Sequence, residues 1–591
     1  MSDRRAALAR AAAVAALALG VAAGSAAAAG PAKPPAPEPL GTSPAVAAEV
    51  GGFGRTLPGA QRLLVTFADT PPGAEARRRL GALGAVAPVL PEAGIWGLSP
   101  ADPAAARDRV LRRADVSGAE WSLARRTAER PRPRPPGPLG PPPALADPLF
   151  ATGAQWGLRS GTPSWAADLA TRAPRPRIAI LDSGVDPTHE EWGGPSTPLV
   201  APRSTVRGDA DATDHGTSGH GTHVAGIAAA PANGVGVVGV APAQAAAAQV
   251  IPVQIADPQG RSTDETMIRG IRHAVNNGAG VVNISAGGPG YSQAFQDTIL
   301  WATRRGALVV ASVGNEGNDS NPLNYPAAYR RVLGVGALCD AIPSPECPAP
   351  YGVARFSNRN RSVDVIAPGV NIVSSVPRRV AERATGRGSG YALKDGTSMA
   401  APYVAGVAAL VMASNDGLLS PYQVMRQIEN TAVDLPPGGR DRSSGAGVVN
   451  PRAAVTLTAP ADDTSEVNDD VKWVTGTKRL KEAGRALRLE ATADRVEDPD
   501  DVYAVRLRRG ERLRVVLTYR RGRLDLYLWR PGTRTVATGR GNVERNLIRY
   551  RGGGSKRKVI VYRATRAGRH FVNVFARKGA SEYTVNLVRG G

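Results

Sequence analysis

Residues 177–182 read RIAILD, and three later stretches share their character: AQVIPVQI at 248–255, GVVNISA at 280–286 and GALVVASVG at 306–314. Each is a nearly continuous apolar run, which is typical of strands buried on both faces of a parallel sheet. Helical patterns separate them: HGTHVAGIAAA from 220, DETMIRGIRHAVNNG from 264 and TSMAAPYVAGVAALVMAS from 397. This alternation predicts a doubly wound α/β domain over residues 144–457, with ligands at the carboxyl ends of the strands.

Two further folded segments are predicted on either side of this domain. Residues 59–124 alternate in the order β-α-β-β-α-β, from QRLLVTFA to VSGAEWSLA, which indicates a small ferredoxin-like α+β domain. The Pro-dense linker 125–143 is expected to contain a processing site, because it is exposed and rich in arginine. Its stretch that begins with RPRPR at residue 130 is expected to form neither helix nor sheet. Short alternating strands over 475–591, after a linker at 458–474, predict an antiparallel β-sandwich.

The first 29 residues have the order of a secretory signal peptide: arginines, the apolar run AAAVAALALGVAAG and small residues near Ala29. The run is short and Ala-rich for a membrane anchor, and Arg4 and Arg5 leave twin-arginine export open beside the general route. Residues 30–58 read as a linker rich in Pro, Ala and Gly. We therefore expect an extracellular protein without a membrane span in its mature form.

The length and composition limit the number of domains and the kinds of partner. A chain of 591 residues is long enough for two to four domains. Its net charge of +22 would suit nucleic acid, but no nucleic-acid-binding motif accompanies that charge, so we expect no such partner. The two cysteines, Cys339 and Cys347, bracket a short Pro-rich loop without a nearby histidine, which favours a local disulfide over a metal site.

Ser398 is the candidate nucleophile. It lies in DGTSMAAP at the start of a long Ala/Val helical pattern, where a hydroxyl is at the rim and the helix dipole favours negative charge. In isolation a helix-capping serine would be the simpler interpretation. A cap, however, requires neither that extended motif nor distant partners.

His220 and Asp182 are the candidate partners of this serine. His220 stands in GHGTHVAG and can take the serine proton and return it to a leaving group, whereas His223 at helical spacing would point inward. Asp182 ends the strand RIAIL and can fix the imidazole tautomer, or it can simply cap a turn. Asp186 and Asp214 are alternatives in loop-like sequence.

Asn315 follows the strand GALVVASVG and can supply a side-chain amide to an oxyanion, although a turn asparagine is an equal alternative in isolation. With all four residues in place, the chain resembles the subtilisin family of serine peptidases over about residues 150–455. The resemblance implies an acyl-enzyme mechanism with Asp182, His220 and Ser398 as the triad and Asn315 as oxyanion donor. It also implies that a substrate backbone pairs with Ser285, Ala286 and Gly287, while Ser312 and Gly314 line the primary pocket, with Glu316 at its rim tolerating basic or polar side chains.

The flanking segments carry resemblances of their own. Residues 59–124 resemble the family's inhibitory propeptide by location and element order, and the tail resembles the bacterial prepeptidase C-terminal domain. In this family a loop like PANGVGVVGVAP wraps a calcium ion. Here the matching ligands would be Glu191, the side chain of Asn233 and the carbonyls of Val235 and Val237.

Together these features predict a monomeric secreted serine endopeptidase, made as a zymogen and inhibited by its own propeptide. It would act on proteins or peptides and need no cofactor for its chemistry, with a structural calcium ion at most. Two alternatives stay open: a maturation peptidase dedicated to one partner protein, and a non-catalytic protein that binds a surface polymer. The tail could bind substrate, assist folding or secretion, or be removed.

Overall fold

A computed structural model describes residues 62–127, 130–134, 147–158, 176–193, 197–242, 249–385, 390–415, 417–460, 467–468, 471–474, 486–494, 498–536 and 540–590. The predicted signal peptide (1–29), the linker 30–58 and most of the Pro-dense segment lie outside the described residues.

The first folded unit is an antiparallel sheet of strand order β2-β3-β1-β4, covered by two helices. Alternate residues of β1 face opposite ways, so Leu63 and Val65 join the helices in one core while Leu64 faces the other side. The elements are β1 (Leu63–Phe67), α1 (Gly73–Leu80), a 3-10 turn (Gly81–Leu83), β2 (Gly84–Leu90), a 3-10 turn (Pro91–Ala93), β3 (Ile95–Pro100), α2 (Pro103–Leu111) and β4 (Val116–Trp121). Two short strands follow, β5 (Ala124–Thr127) and β6 (Arg130–Arg134).

The second unit is built on a parallel sheet. Within the described residues seven strands form it in the order β15-β14-β13-β11-β7-β9-β8. The strands of this unit are β7 (Arg177–Asp182), β8 (Arg203–Ser204), β9 (Val250–Gln254), β10 (Arg261–Thr263), β11 (Ala279–Ile284), β12 (Ala286–Gly287), β13 (Leu308–Ser312), β14 (Val332–Leu338), β15 (Val365–Pro368), β16 (Ile372–Ser375) and β17 (Tyr391–Asp395).

Helices cover both faces of this sheet, as the apolar runs predict. Ile178 and Ile180 of β7 face a core with the helices that begin at His220 and Thr397, and Ala179 and Leu181 face the helices of the other side. Each fully buried Ile or Leu side chain stabilises the folded state by about 1.5–3 kcal/mol relative to an exposed one. The helices are α3 (Pro148–Ala151), a 3-10 turn (Trp156–Leu158), α4 (His220–Ala229), α5 (Asp264–Asn276), α6 (Gln293–Arg304), α7 (Arg378–Thr385), α8 (Thr397–Ser414), α9 (Pro421–Thr431) and α10 (Pro451–Thr456).

The free face of the first sheet packs on α5 and α6. Leu64, Leu90 and Ile95 belong to the same apolar core as Met267 of α5 and Phe295 of α6. Both helices begin at side-chain caps, because the Thr263 hydroxyl accepts from the amide of Thr266 and the Ser292 hydroxyl accepts from that of Phe295.

The expectation that the Pro-dense stretch from residue 130 onward forms no sheet is wrong for residues 130–134. β5 pairs with β10 and β12, and β6 pairs with β17. Prolines alternate with arginines in RPRPR over 130–134, and a strand at a sheet edge tolerates proline because its missing N–H is not needed on that side. The described residues of the segment therefore include two short strands, β5 and β6, that pair with different strands of the second unit.

The tail is a sandwich of two four-stranded antiparallel sheets, with orders β18-β25-β20-β23 and β19-β24-β21-β22 among the described residues. Leu513 and Leu517 of one sheet pack against Leu526 and Val572 of the other. A short helix in the predicted linker 458–474 packs on the sandwich through Val471 and Val474. The elements are α11 (Val471–Val474), β18 (Ala486–Asp494), β19 (Asp500–Leu507), β20 (Arg512–Tyr519), β21 (Arg523–Trp529), α12 (Arg540–Asn546), β22 (Leu547–Arg551), β23 (Arg557–Arg563), β24 (Gly568–Lys578) and β25 (Ala580–Gly590).

The two cysteines and the most apolar helix each bear on an expectation from the sequence. Cys339 and Cys347 have their sulfur atoms 2.00 Å apart, at bonding distance. Helix α8 is long and apolar enough to cross a membrane, yet 94% of its apolar window is buried inside the protein, which is the pattern of a core helix.

Candidate active site

The carboxyl ends of three adjacent strands meet at one edge of the parallel sheet. Asp182 ends β7, Ser285 directly follows β11, and Asn315 lies three residues beyond β13. Because β7 pairs with β11 and β11 with β13, all in parallel, these residues share that edge. The sheet therefore brings Asp182 to the same edge as two polar residues that lie more than 100 positions later in the sequence.

Asp182 and His220 are in direct contact. The imidazole Nδ1 lies 2.6 Å from Asp182 Oδ1, and both side chains are buried. His220 is the first residue of α4, after Gly219, whose φ of 66° is a left-handed conformation. A Cβ on Gly219 would also lie 2.4 Å from Pro377 Cδ, so glycine is required there on both counts. The aspartate accepts the Nδ1 proton and leaves Nε2 as the basic nitrogen.

Asp214, the alternative to Asp182 in the sequence, contacts other residues. Its carboxylate accepts hydrogen bonds from the Ser183 hydroxyl at 3.0 Å and from the amide and hydroxyl of Thr222 at 3.0 and 2.8 Å. The Ser183 hydroxyl in turn accepts from the amide of Gly221. Burial raises the pKa of Asp214, and these bonds oppose the rise. Asp214 thus fixes the first turn of α4, a role that its loop-like sequence does not signal.

Ser398 is the second residue of α8 and is buried. Its hydroxyl donates to the carbonyl of Ser285 at 3.2 Å, while the Ser285 hydroxyl donates to the carbonyl of Ser398 at 3.0 Å. These reciprocal bonds join the end of β11 to the start of α8. Helices α4 and α8 contact each other, so His220 and Ser398 both start helices that converge on this edge.

Asn315 is tied to the residue before Ser398. Its Oδ1 accepts from the amide and the hydroxyl of Thr397, both at 2.9 Å, and the Thr397 hydroxyl accepts from the amide of Gly314. With Oδ1 held in this way, the orientation of the amide is fixed, and its donor is the nitrogen Nδ2. Asn315 is only partly buried, consistent with a position on the cleft surface.

The remaining histidines lie elsewhere. His223 is fully buried, its Nε2 lies 3.1 Å from the carbonyls of Ile372 and Ala392, and burial with the charge of Lys394 holds its pKa well below the usual value. His189 and His215 are in loops, while His273 and His570 lie in α5 and β24, as their sequence patterns predict.

The strand β12, Ala286–Gly287, forms one wall of a slot whose other wall is β10. Strand β5 lies between them, with Ala286 opposite Thr127 and Gly287 opposite Arg126. Beside the slot, Ser312 is buried and Gly314 has a φ of 99°. A Cβ at position 314 would lie 2.6 Å from Glu316 Oε2, so the lack of a side chain lets the Glu316 carboxylate lie close to this backbone.

The predicted calcium loop is held by carboxylates. Glu191 Oε1 accepts from the amide of Val237 at 2.7 Å, and burial raises the pKa of Glu191 to about 8. Its Oε2 is buried without a hydrogen-bond partner. Asp147, which the sequence analysis missed, accepts from the amides of Asn233 and Gly234.

An orphaned carboxylate oxygen beside a second carboxylate fits a hard cation with oxygen ligands. Asn233 Oδ1 accepts from the amide of Val235, so that side chain is already engaged. Within the described residues no three His, Cys, Asp or Glu side chains cluster to hold a metal ion, so a cation here would depend on backbone carbonyls as well.

Comparison with known proteins agrees with this geometry. Residues 175–447 match the model of the peptidase S8 subtilase family. Subtilisin BL from Lederbergia lenta is 37% identical over 278 residues, which cover 47% of this chain and 90% of that protein. The chain belongs to the subtilase family. Subtilisin Savinase from the same organism is 36% identical over the same shares of the two chains.

A solved structure extends the likeness in fold. The subtilase fervidolysin from Fervidobacterium pennivorans, described as a keratinolytic enzyme, matches with a TM-score of 0.57 and 22% identity. The match covers 85% of this chain and 84% of that one. As a subtilase with subtilisin relatives at this identity, the protein is a subtilisin-like serine peptidase, a hydrolase.

Proposed function

We propose that this subtilase is a secreted serine endopeptidase made as an inactive zymogen. One observation carries the proposal: the chain's own strand β5 pairs with Ala286–Gly287, next to Ser285, whose carbonyl accepts the Ser398 hydroxyl. A segment in that slot excludes any other peptide from it. Secretion rests on the sequence of residues 1–29 alone.

Ser398, His220, Asp182 and Asn315 carry the reaction in this proposal. Ser398 Oγ attacks the scissile carbonyl carbon while His220 Nε2 takes its proton, and Asp182 stabilises the imidazolium. The tetrahedral oxyanion accepts from Asn315 Nδ2 and a backbone amide at the start of α8. Collapse expels the amine with the proton from His220 and leaves an acyl-serine, which water hydrolyses by the same steps.

The Pro-dense segment would be the first substrate. Thr127 lies opposite Ala286, and Arg130 lies opposite Asp395, three residues before Ser398 in the chain. The two strands thus approach the serine from the two sides of the cleft. We place the processing site between Thr127 and Arg130, inside the predicted interval 125–143 and outside the described residues.

Contacts between the first unit and α5 and α6 support an inhibitory role. Glu120 caps α6: its carboxylate accepts from the Ser292 hydroxyl and from the amides of Gln293 and Ala294 at 2.6–3.0 Å. Burial raises the pKa of Glu120, which these donors oppose. At α5, Arg62 pairs with Glu265 at 2.8 Å, and the Ser122 hydroxyl accepts from the amide of Glu265. Residues 59–124 would therefore stay bound after a single cut and inhibit until removed.

Calcium and the tail complete the proposal. A calcium ion at Glu191 and Asp147 would neutralise two buried carboxylates and hold the loop at 233–237, with no part in bond cleavage. The sandwich would be dispensable for peptide hydrolysis, because the residues assigned to the reaction all lie between 182 and 398. We expect the mature enzyme to be a monomer.

Two assays test the enzymatic part together. The purified, self-processed protein should digest denatured casein and should be labelled once by an organophosphate that reacts with activated serine. The Ser398→Ala protein is the matched control and should do neither. A wild-type protein that fails both assays would overturn the proposal.

A further inference from the structure

Arg125 of β5 has a buried ion pair in the slot. Its Nε lies 2.7 Å from Asp264 Oδ1, and both side chains are fully shielded from solvent. Asp264 is the first residue of α5 and directly follows β10, one wall of the slot. Burying a guanidinium and a carboxylate removes the hydration of both groups. Their attraction offsets this loss only where the pair has good geometry and further hydrogen bonds.

The rest of the pocket is built from backbone oxygens. Arg125 Nη1 donates to the carbonyls of Gly288 and Pro289 at 2.6 and 2.9 Å, and Nη2 donates to that of Gly290 at 3.0 Å. Three carbonyls and one carboxylate oxygen therefore surround the planar fork of the side chain. A Cβ on Gly288 would lie 3.5 Å from Arg125 Cδ, which is van der Waals distance, so the stem of the arginine passes close to this backbone.

Every group that binds this guanidinium belongs to the catalytic unit. Asp264 and the turn 288–290 lie within the stretch that matches the family model, so they remain when the preceding segment is removed. The main-chain pairing of β5 with β10 and β12 does not depend on side chains, and any extended peptide can adopt it. The pocket is therefore available to a substrate in the same register.

The chemistry of the pocket favours arginine over other side chains. Burial disfavours the charged guanidinium, but the carboxylate of Asp264 outweighs this and the pKa of Arg125 is raised. An aliphatic side chain would leave Asp264 as a buried carboxylate without a counterion. A lysine would bring the charge but not the five fixed donors that the carbonyls and the carboxylate match.

We infer that Asp264 and the carbonyls of 288–290 form a specificity subsite for peptide substrates. These substrates carry an arginine two residues before the residue that pairs with Ala286, as Arg125 stands two residues before Thr127. The inference rests on the proposed function, because the slot is a substrate site only if Ser398 cleaves peptides. It narrows the substrate class from proteins in general to segments with an arginine at that spacing, as in the chain's own sequence LARRTAERPR at 123–132.

The test uses the self-processed wild-type enzyme and a quenched fluorescent decapeptide with that sequence. Replacing the arginine that corresponds to Arg125 by leucine should lower kcat/KM by about 100-fold, and by lysine about 10-fold, because the pocket is built for a guanidinium. The matched control replaces the next arginine, corresponding to the exposed Arg126, and should change kcat/KM by less than about threefold. Equal cleavage of all four peptides would overturn the subsite and leave the proposed function intact.

A variant of the enzyme tests whether the preference for arginine depends on Asp264. In Asp264→Asn the ratio of kcat/KM for the arginine peptide over the leucine peptide should fall at least about tenfold. Glu265→Gln is the control, because Glu265 is the next acidic residue of α5 but contacts Arg62 and Arg269, and it should keep the ratio. An unchanged ratio in Asp264→Asn contradicts the assignment. If no peptide is cleaved and the serine label also fails, the proposed function falls with it.

Discussion

Single residues of the site act through pairs that the fold brings together. Asp182 and His220 are 38 positions apart in sequence and 2.6 Å apart in space, and Asn315 contacts Thr397 across 82 positions. The motifs around these residues are long enough to be identified from the sequence. The roles of Asp214 and Asp147 could not be found in the same way, because each depends on backbone amides that only the folded loop presents.

Asn315→Ala should lower kcat of the processed enzyme by ~100- to 1,000-fold, because one oxyanion donor is lost. KM should change little, since the amide strengthens its bond only as charge develops on the oxygen. Steady-state kinetics on one peptide would measure both values. The control is Asn360→Ala, whose side chain bonds to Pro322 and Ser362. A kcat unaffected by Asn315→Ala would remove this residue from the mechanism.

At the scale of elements, the parallel strands and their helices follow from the apolar runs and the helical patterns between them. Strand β6 did not, since the prolines of RPRPR argue against a strand when only local propensity is considered. Pairing with β17 supplies what local propensity lacks. Likewise β5 has no strong strand signal, and its conformation depends on the slot between β10 and β12.

The cap that Glu120 places on α6 gives a prediction at this scale. In the full chain carrying Ser398→Ala, Glu120→Ala should speed hydrogen exchange of the amides of Gln293 and Ala294 by about tenfold, because both lose a charge-assisted acceptor. Mass-spectrometric exchange would follow the peptide at the start of α6. Asp108→Ala, a change at an exposed residue of α2, is the control. Unchanged exchange in Glu120→Ala would show that the cap contributes nothing to holding the first unit.

The calcium loop gives a second prediction for an element. Chelation with EDTA should lower the thermal midpoint by about 5 °C or more, because an ion bound at 100 times its dissociation constant stabilises the folded state by ~2.7 kcal/mol. Glu191→Gln should abolish that difference. In the control Glu190→Gln, whose surface carboxylate pairs with Arg378, the difference should persist. A wild-type midpoint that EDTA leaves unchanged would exclude a stabilising ion at this loop.

On the scale of the whole molecule, the tail contacts the catalytic unit through a buried ion pair. Arg331 Nη2 lies 2.8 Å from Asp498 Oδ1, and the guanidinium also stacks over the ring of Tyr422. The sequence could separate the two units by their patterning, but not show this contact, since each partner lies in a segment without a distinctive motif.

Removing residues from 466 onward should therefore keep the rate of peptide hydrolysis per active site within about twofold of that of the full chain. Without the tail, water can hydrate the Arg331 guanidinium where Asp498 now pairs with it. Asp498→Ala in the full chain should lower the free energy of unfolding by about 3–5 kcal/mol, since it removes the carboxylate that pairs with the buried Arg331 guanidinium. Denaturant unfolding of the Ser398→Ala background would measure this loss. A truncated protein that folds but has lost most of its peptide hydrolysis would give the tail a direct part in the site.

The central claim is that Ser398 cuts its own chain where β5 and β6 pass the cleft. Purified full-length precursor, incubated at low concentration and analysed by intact mass and amino-terminal sequencing, tests it most directly. We expect the wild-type protein to acquire a new terminus between Thr127 and Arg130 at a rate independent of concentration, and Ser398→Ala to stay intact. A Ser398→Ala precursor that is cut at the same place, or a wild-type precursor that stays whole while its serine is labelled, would contradict the claim.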